Sequence, residues 1–325
     1  MKKLIFLMLF FVVSCSTDSS RSHQEKEKEW NNKNGKIKVL SSIAMINELV
    51  KEIGGEYIDS NTLIKGDLDP HSYQLVKGDD EKLKRADLIF FNGLGLEHGP
   101  SLQKYLYNSE KAIALGNEID SANPSLILQQ NGQIDPHIWM DIALFAKSIP
   151  FIVKALSEKD PANQSYYENR AIALQKEMLQ NDQEIRDLLL QIPENKRYLV
   201  TSHDAFNYFT RTYLATESEK INNDWQKRFA APEGLAPESQ ISASDIQFII
   251  DYLAKYQIHV VFPESNVSQD SIRKIVLAGK EKGLELTIAT DYLYGDAMGS
   301  EGSDGDTYLK MIRHNAAVIA KYLKK

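Results

Sequence analysis

Four short segments each present a metal-ligating side chain. An Asp-Pro-His tripeptide occurs at 69–71 and again at 135–137, and Ser-His-Asp at 202–204 supplies a third imidazole. These segments contribute His71, His137 and His203, and the segment Gly-Asp-Ala-Met-Gly at 295–299 contributes Asp296. Three imidazoles and one carboxylate form a complete ligand set for a divalent transition metal. The sequence therefore predicts capture of one such ion.

Each candidate ligand also has a plainer interpretation. A single loop histidine is typical of an exposed surface, but the repeated tripeptide favours His71 and His137 as ligands, because proline restrains the backbone before each imidazole. His203 could fill space beside a serine or aspartate that caps a helix. Asp296, between glycines, could be an exposed turn carboxylate. From the residues alone these alternatives stay open.

The remaining histidines carry weaker signals. His98 follows a glycine-rich loop and could approach the ligands, although it lacks a repeated motif. His259 begins an apolar strand, His314 lies in the last helix, and His23 lies in a polar segment, so we interpret none of the three as a ligand. Glu264, in Phe-Pro-Glu at 262–264, is better suited to orienting an imidazole than to binding metal directly.

Short apolar runs alternate with amphipathic stretches along the chain. The pattern predicts strands at 37–40, 61–64, 87–92, 111–115, 197–201, 259–263 and 285–289, and helices at 43–53, 79–85, 205–213, 244–255, 269–282 and 307–323. Strand-helix-strand alternation indicates an α/β fold with mostly parallel sheets. Such sheets place ligands beyond the carboxyl ends of their strands, where the candidate ligands are predicted.

A stretch without glycine or proline, residues 163–191, divides the chain. It predicts one rigid linking helix, about 43 Å long at 1.5 Å per residue. We expect an N-terminal α/β lobe at 37–162 and a C-terminal α/β lobe at 192–325, with the site in the cleft between them.

The amino terminus resembles a bacterial lipoprotein signal. Residues 1–15 combine two lysines, a short apolar run and Val-Val-Ser-Cys, which predicts cleavage before Cys15 and lipid attachment to it. A cleaved signal with an incidental cysteine is the alternative. Residues 16–36 are polar and predict a flexible tether. Cys15 is the only cysteine, so no intrachain disulfide can form, and the net charge of −7 argues against nucleic acid as a partner.

The ordered motifs resemble those of one family, the metal-binding lipoproteins of ABC importers that include TroA, PsaA and ZnuA. They are DPHSY at 69–73, ADLI at 86–89, NG at 92–93, DPHIW at 135–139, SHDAFNYF at 202–209, FPE at 262–264, DAMG at 296–299 and TYL at 307–309, with Asn315. The resemblance covers nearly all of the chain after the tether. It implies two α/β lobes joined by one long helix, and it implies that His71, His137, His203 and Asp296 bind the metal.

The same resemblance implies an import function. A monomer, anchored by lipid on Cys15 in the periplasm or at the cell surface, would deliver metal to the transmembrane subunit of an ABC permease. Manganese-specific members often carry glutamate where His203 stands, and zinc-specific members often carry a histidine-rich loop where 117–133 has no histidine. Residues 228–269 most resemble the iron-associated chlamydial branch. We therefore rank iron or manganese slightly above zinc.

Two other functions remain open at this stage. A metal-dependent hydrolase would need an open coordination position and a general base, for which Asp204 or Glu264 is available. No His-Glu-x-x-His motif is present, and four protein ligands would fill the metal's shell. A surface adhesin with a structural metal is the other alternative, and loss of metal uptake on ligand substitution would distinguish import from adhesion.

Overall fold

The computed structural model describes residues 30, 32, 34–130, 132–236 and 241–324. The predicted signal at 1–15, Cys15 and most of the tether at 16–36 lie outside them. Gly35–Lys325 form one compact unit, to which the helices and strands named below belong. No helix in the described part of the chain combines the length and apolar content that crossing a bilayer requires.

The first half of this unit is built on a four-stranded parallel sheet. Its strands are β1 (Ile37–Ser41), β2 (Ile58–Thr62), β3 (Leu88–Phe91) and β4 (Ala112–Ala114), in the spatial order β2-β1-β3-β4. All four residues of β3 are buried, as expected of an apolar run in the middle of a parallel sheet that helices cover. The parallel arrangement brings the carboxyl ends of all four strands to one edge.

Helices cover this sheet and lead into the second half. They are α1 (Ala44–Gly54), α2 (Asp79–Arg85), α3 (Pro100–Tyr107), α4 (Leu115–Ala122), α5 (Ile142–Phe145) and α6 (Ile149–Lys159). A hairpin of β5 (Gln129–Gln130) and β6 (Gln133–Ile134) follows α4, and a 3₁₀ turn at Ile138–Met140 precedes α5. Helix α1 buries Met45, Ile46, Leu49, Val50 and Ile53, which form one apolar face.

The long helix α7 spans Gln164–Leu190. It has 27 residues, and it contacts α1 and α6 from the first half and α12 (Tyr308–Leu323) from the second. Its buried residues recur every three or four positions from Tyr167 to Leu189, so one side of the helix packs along its length. The predicted long helix is therefore present. The lobe boundaries at 162 and 192 stay a prediction.

The second half contains two short parallel strand pairs, β7 (Leu199–Val200) with β8 (Phe229–Ala230) and β9 (Val260–Val261) with β10 (Thr287–Ile288). The backbone N–H of Phe262 donates to the carbonyl oxygen of Val200 at 2.8 Å, which connects the two pairs. Its helices are α8 (Asn207–Phe209), α9 (Glu217–Asn222), α10 (Ala243–Lys255), α11 (Asp270–Glu281) and α12. The buried faces of α10 and α11 pack with these strands in one apolar cluster. The predicted α/β class with parallel sheets is confirmed.

Several element boundaries differ from the sequence prediction. Strand β2 begins at Ile58 instead of 61, and the backbone N–H groups of Leu63 and Ile64 bond to the carbonyls of Ser41 and Ser42 beyond it. The helix predicted at 205–213 is three α-helical residues followed by a π-helix at Thr210–Leu214. In this wider turn the hydroxyl of Tyr213 donates to Asp182 on α7 at 2.7 Å, so a tertiary contact accompanies the irregular geometry.

Candidate metal centre

The structure brings the four predicted ligands together. His71 lies in the loop after β2, His137 precedes the turn at Ile138–Met140, His203 follows β7, and Asp296 lies in the loop after β10. One nitrogen or carboxylate oxygen of each lies within 4.8 Å of those of the other three. All four residues are at most 3 % exposed, so they form one buried cluster.

The imidazoles converge on the Asp296 carboxylate. Its oxygens lie 3.4 Å from Nε2 of His71, 3.3 Å from Nε2 of His137 and 3.1 Å from Nε2 of His203. None of these nitrogens, and neither carboxylate oxygen, makes a hydrogen bond to any described residue. Buried polar atoms without partners are rare because desolvation is costly. Nitrogen and oxygen lone pairs aimed at one point are the donor set that a transition metal requires.

In the Asp-Pro-His tripeptide at 69–71, the aspartate holds the backbone of His71. Oδ1 of Asp69 accepts the backbone N–H of His71 at 2.8 Å, and Oδ2 accepts from the backbone and hydroxyl of Ser72. This local turn is the type that an Asx side chain forms with the residue two positions on. Burial lowers the pKa of His71, although the neighbouring Asp296 carboxylate opposes that effect. A low pKa favours the neutral imidazole, which is the form that binds metal.

The second tripeptide repeats the turn and adds a contact to the ring. Oδ1 of Asp135 accepts the backbone N–H of His137 at 2.9 Å and also lies 2.7 Å from its Nδ1. Asp135 is itself buried, and it accepts from Nδ2 of Asn207 at 3.0 Å. Burial alone would lower the pKa of His137, but Asp135 and Asp296 outweigh it and raise the pKa to about 9. With Nδ1 turned to Asp135, Nε2 faces the centre.

Glu264 holds the segment that carries His203. Its Oε1 accepts the backbone N–H groups of Ser202 and His203, each at 2.9 Å, and its Oε2 lies 2.7 Å from Nδ1 of the imidazole. Burial opposes protonation of His203, yet Glu264 and Asp296 raise its pKa well above the usual value. The sequence predicted that Glu264 orients an imidazole, and in the structure Glu264 contacts the ring of His203.

Asp296 follows Gly295, whose backbone lies close to the side chain of Glu264. A side chain at Gly295 would place its Cβ 2.2 Å from Oε2 of Glu264, so residue 295 must be glycine unless the surroundings move. The indole N–H of Trp139 donates to the carbonyl of Gly295 at 3.0 Å and links this loop to the segment carrying His137. Burial would raise the pKa of Asp296, but the neighbouring His203 and His137 hold it well below its usual range.

Sequence reasoning missed three of the positioning groups. The motifs at 135–139 and 202–209 contain Asp135, Trp139 and Asn207, but the sequence alone indicated no role for these three residues. The aspartate two positions before each repeated histidine was an available signal, because Asx turns have that spacing. The contacts of Asn207 and Trp139 connect distant segments, so no local pattern indicated them.

The other histidines lie in different settings. The ring centroid of His98 is 5.7 Å from that of His71. His259 and His314 are exposed or partly exposed and hydrogen-bond to the carbonyls of Glu285 and Tyr292 away from the cluster. His23 lies outside the described residues. The described residues thus contain one buried group of three histidines and one aspartate.

Comparisons with known proteins give matches over most of the chain. Residues 39–322 match the family described as zinc-uptake complex component A, periplasmic. The chain is 39% identical over 292 residues to the metal-binding protein YtgA of Chlamydia pneumoniae, covering 90% of this chain and 87% of that protein. It is 30% identical over 320 residues to the manganese-binding lipoprotein MntA of Bacillus subtilis, covering 98% of this chain and 97% of that protein.

A solved structure is similar in fold as well. Fe(III)-bound YtgA from Chlamydia trachomatis matches with a TM-score of 0.83 and 38% identity, covering 88% of this chain and 98% of that one.

Proposed function

This chain belongs to the ZnuA family of metal-uptake components, and on that premise we propose that it captures one transition-metal ion and delivers it to an ABC permease. The proposed ligands are Nε2 of His71, His137 and His203 together with the carboxylate of Asp296. The metal is cargo, held until the protein meets the transmembrane subunit of the permease.

One observation carries the proposal. Three imidazole nitrogens and two carboxylate oxygens, all buried, face one another without a hydrogen-bond partner among the described residues. A bound cation would satisfy all of them at once. With three neutral imidazoles and one carboxylate, a divalent ion leaves a charge of about +1 at the centre. Asp135 and Glu264, behind two of the rings, offset part of that charge.

Capture displaces protons as well as water. Each ligating imidazole must be neutral on Nε2, and its affinity for metal therefore falls where it is protonated. An unperturbed histidine would place this competition near pH 6. The carboxylates beside His137 and His203 raise the pKa of both, that of His137 to about 9. Proton competition should therefore extend above neutral pH.

The cargo that we favour is iron or manganese, ahead of zinc. The names of the relatives cover all three metals: Fe(III) for the YtgA structure, manganese for MntA and zinc for the family. Nitrogen-rich sites bind zinc more tightly than manganese or ferrous iron at equilibrium. Cargo choice therefore needs a direct measurement with each metal.

We propose that the protein is a carrier and not a hydrolase. A catalytic metal needs a coordination position left to water and a base beside it. Here four protein groups converge, and Oε1 of Glu264 already accepts two backbone N–H groups. Asp204, the other candidate base, accepts from Nδ2 of Asn207. The adhesin alternative predicts ligand substitutions that leave metal uptake intact.

We further propose that the protein acts as a lipid-anchored monomer. Lipid on Cys15 would hold it to a bacterial membrane, in the periplasm or at the cell surface, with 16–36 as the tether. The Val-Val-Ser-Cys sequence and the word lipoprotein in the name of MntA support this. Metabolic labelling with a radioactive fatty acid, in the wild type and in Cys15→Ala, tests it. Labelling of the variant would contradict the assignment.

Calorimetric titration with zinc, manganese and anaerobic ferrous iron tests the capture function. We expect one ion per chain, and in His203→Ala an affinity lower by more than about 100-fold, because the substitution removes a ligand. The matched control is His259→Ala, which removes an exposed imidazole outside the cluster and should bind as the wild type does. Binding that is indifferent to His203 would refute the four-ligand centre.

A further inference from the structure

Two neighbouring residues of α8, Asn207 and Tyr208, bond to the stretch of the first half that leads to His137. Both are buried, and both follow His203 closely in the chain. Their partners in the first half lie between residues 128 and 135. These bonds therefore join the segment that carries one proposed ligand to the segment that carries another.

The amide of Asn207 is bonded through both of its polar atoms. Nδ2 donates to Oδ2 of Asp135 at 3.0 Å, and to Oδ1 and the backbone carbonyl of Asp204 at 2.9 and 3.1 Å. Oδ1 accepts from Nε2 of Gln130 at 3.3 Å. Carboxylate and carbonyl oxygens accept these bonds, so the partners fix the orientation of the amide. The side chain bridges Asp135 in one half to Asp204 in the other.

This bridge places a neutral donor between two acidic side chains. Oδ1 of Asp135 lies 2.7 Å from Nδ1 of His137, and Asp204 directly follows His203. Two carboxylates that lie close together repel each other, and a shared N–H donor offsets that repulsion without adding charge. With Oδ2 held by Asn207, Oδ1 of Asp135 stays turned to the imidazole. The amide thus acts on His137 through Asp135.

Tyr208 restrains the same aspartate through its backbone. The tyrosine hydroxyl donates to the carbonyl of Asp135 at 3.0 Å and accepts the backbone N–H of Leu128 at 2.9 Å. Tyr208 therefore fixes the path of the chain, and Asn207 fixes the direction of the carboxylate. Because the tyrosine remains in every Asn207 variant, loss of the amide should release the carboxylate while the backbone stays held.

We propose that Asn207 is a positioning residue for metal capture, which keeps the Asp135 carboxylate against the ring of His137. The inference rests on the proposed capture function. A carboxylate behind a ligating imidazole orients the ring and makes its other nitrogen a better metal ligand. Asn207 extends this support by one further residue, and it comes from the half that supplies His203. Its removal should weaken binding although all four ligands remain.

Competition of the purified protein against a chelator of known affinity, with Zn²⁺ as the probe, measures the effect. In Asn207→Ala we expect an affinity about tenfold lower than in the wild type. Asn207→Ser keeps one hydroxyl donor on a shorter side chain, so it should lose less, about threefold. The matched control is Asn181→Ala, which removes a buried amide that donates to the carbonyl of Glu177 on α7. This control should bind as the wild type does.

A double-mutant cycle with Asp135→Asn tests whether the two residues act together. That asparagine lacks the second acceptor that Asn207 uses, so adding Asn207→Ala to it should weaken binding by less than about twofold more. The full tenfold loss in both backgrounds would overturn the proposal, since Asn207 would then not act through Asp135. Wild-type affinity in both the alanine and the serine variant of Asn207 would overturn it as well.

Proton NMR of the Zn²⁺-loaded protein provides a readout that loss of stability alone would not change. The Nδ1 proton that His137 donates to Asp135 should resonate far downfield, and Asp135→Asn identifies it by shifting it. We expect Asn207→Ala to shift this resonance and Asn181→Ala to leave it in place. An unchanged His137 resonance in Asn207→Ala would contradict the positioning role. Failure of the unmodified protein to bind zinc, manganese or ferrous iron would instead refute the capture function itself.

Discussion

The two Asp-Pro-His segments are identical in sequence and alike in backbone, yet they hold their imidazoles in opposite electrostatic states. In each, the aspartate accepts the backbone N–H of the histidine, at 2.8 and 2.9 Å. Asp69 then turns to Ser72, and the pKa of His71 is lowered by burial. Asp135 instead contacts the ring, and the pKa of His137 is raised to about 9.

The difference teaches that a local motif sets geometry while its surroundings set protonation. The tripeptide provides the turn in both places. Burial of Asp135, with Asn207 bonded to its second oxygen, keeps that carboxylate against His137. His71 lines a cavity of about 700 Å³ in a state that favours the neutral ring. His137 is not among the described residues that line this cavity, and Asp135 fixes the orientation of its ring.

The largest effect should come from removing either imidazole. His71→Ala and His137→Ala should each lower metal affinity by more than about 100-fold, because in the proposed centre each ring contributes one ligand whatever its pKa. Competition against a chelator of known affinity measures this. A variant at either position that binds like the wild type would remove that histidine from the centre.

Removing the charge of the aspartate should affect metal binding differently in the two Asp-Pro-His segments. Asp135→Asn should weaken metal binding by roughly 10- to 100-fold, because the charge behind a ligating ring is lost. Asp69→Asn should weaken it by less than about threefold, since the bonds of Asp69 to described residues go to the backbone of His71 and to Ser72, not to the ring. In both variants asparagine keeps the oxygen that accepts the backbone N–H and loses the second acceptor, so the two changes are matched except for the charge removed beside the His137 ring. Equal losses would mean that the two aspartates act alike.

Proton release gives a third test. At pH 8, below the raised pKa of His137, metal binding should release about one proton from His137, and His203, whose pKa is also raised, adds to the release. Asp135→Asn should release about one proton fewer than the wild type, because the pKa of His137 falls without the carboxylate. Calorimetry in buffers of different ionisation enthalpy counts these protons. Release that is the same in both proteins at pH 8 would contradict the raised pKa.

The smallest effect concerns the metal-free protein. The pKa of His137 is higher in the folded protein, at about 9, than its unfolded value near 6.5. The interactions of protonated His137 with its carboxylate neighbours therefore stabilise the fold fully below pH 6.5, and this stabilisation is lost as the pH rises to about 9. The free energy of unfolding should therefore fall across this window, by at most about 1.4 kcal/mol per pH unit for each such histidine. Denaturant unfolding at several pH values measures it. The slope should be shallower in Asp135→Asn and unchanged in Asp69→Asn.

Sequence patterns predicted some elements well because their signals are local. The absence of glycine and proline over 163–191 predicted α7, and the charged stretch at 79–85 became α2 with the same boundaries. The start of strand β2 was misplaced because Asp59, its second residue, is a poor strand former, and pairing with β1 overrides that preference. Helix α3, at Pro100–Tyr107, was not predicted, although a proline in its first turn is a known start signal.

Local sequence patterns also predicted only part of the candidate site. The repeated Asp-Pro-His tripeptide indicated two of its histidines, His71 and His137, from three residues of sequence each. The partners that decide their chemistry come from far along the chain: Asn207 bonds to Asp135 across 72 residues, and Trp139 bonds to Gly295 across 156. Only the folded arrangement supplies such contacts, so no periodicity or spacing could have indicated them.

The single hydrogen bond from Trp139 to Gly295 has a consequence for how cargo leaves. A neutral hydrogen bond contributes about 1 kcal/mol net, whereas nanomolar metal binding corresponds to about 12 kcal/mol. The indole hydrogen bond is one of several bonds that hold the Asp296 loop, because Asn315 also bonds to the backbone N–H and carbonyl of Tyr294, at 2.8 Å each. If the proposed centre binds its ion that tightly, movement of the loop meets more resistance from the metal–ligand bonds than from the indole. We therefore expect unloading to depend on a recipient that offers replacement ligands.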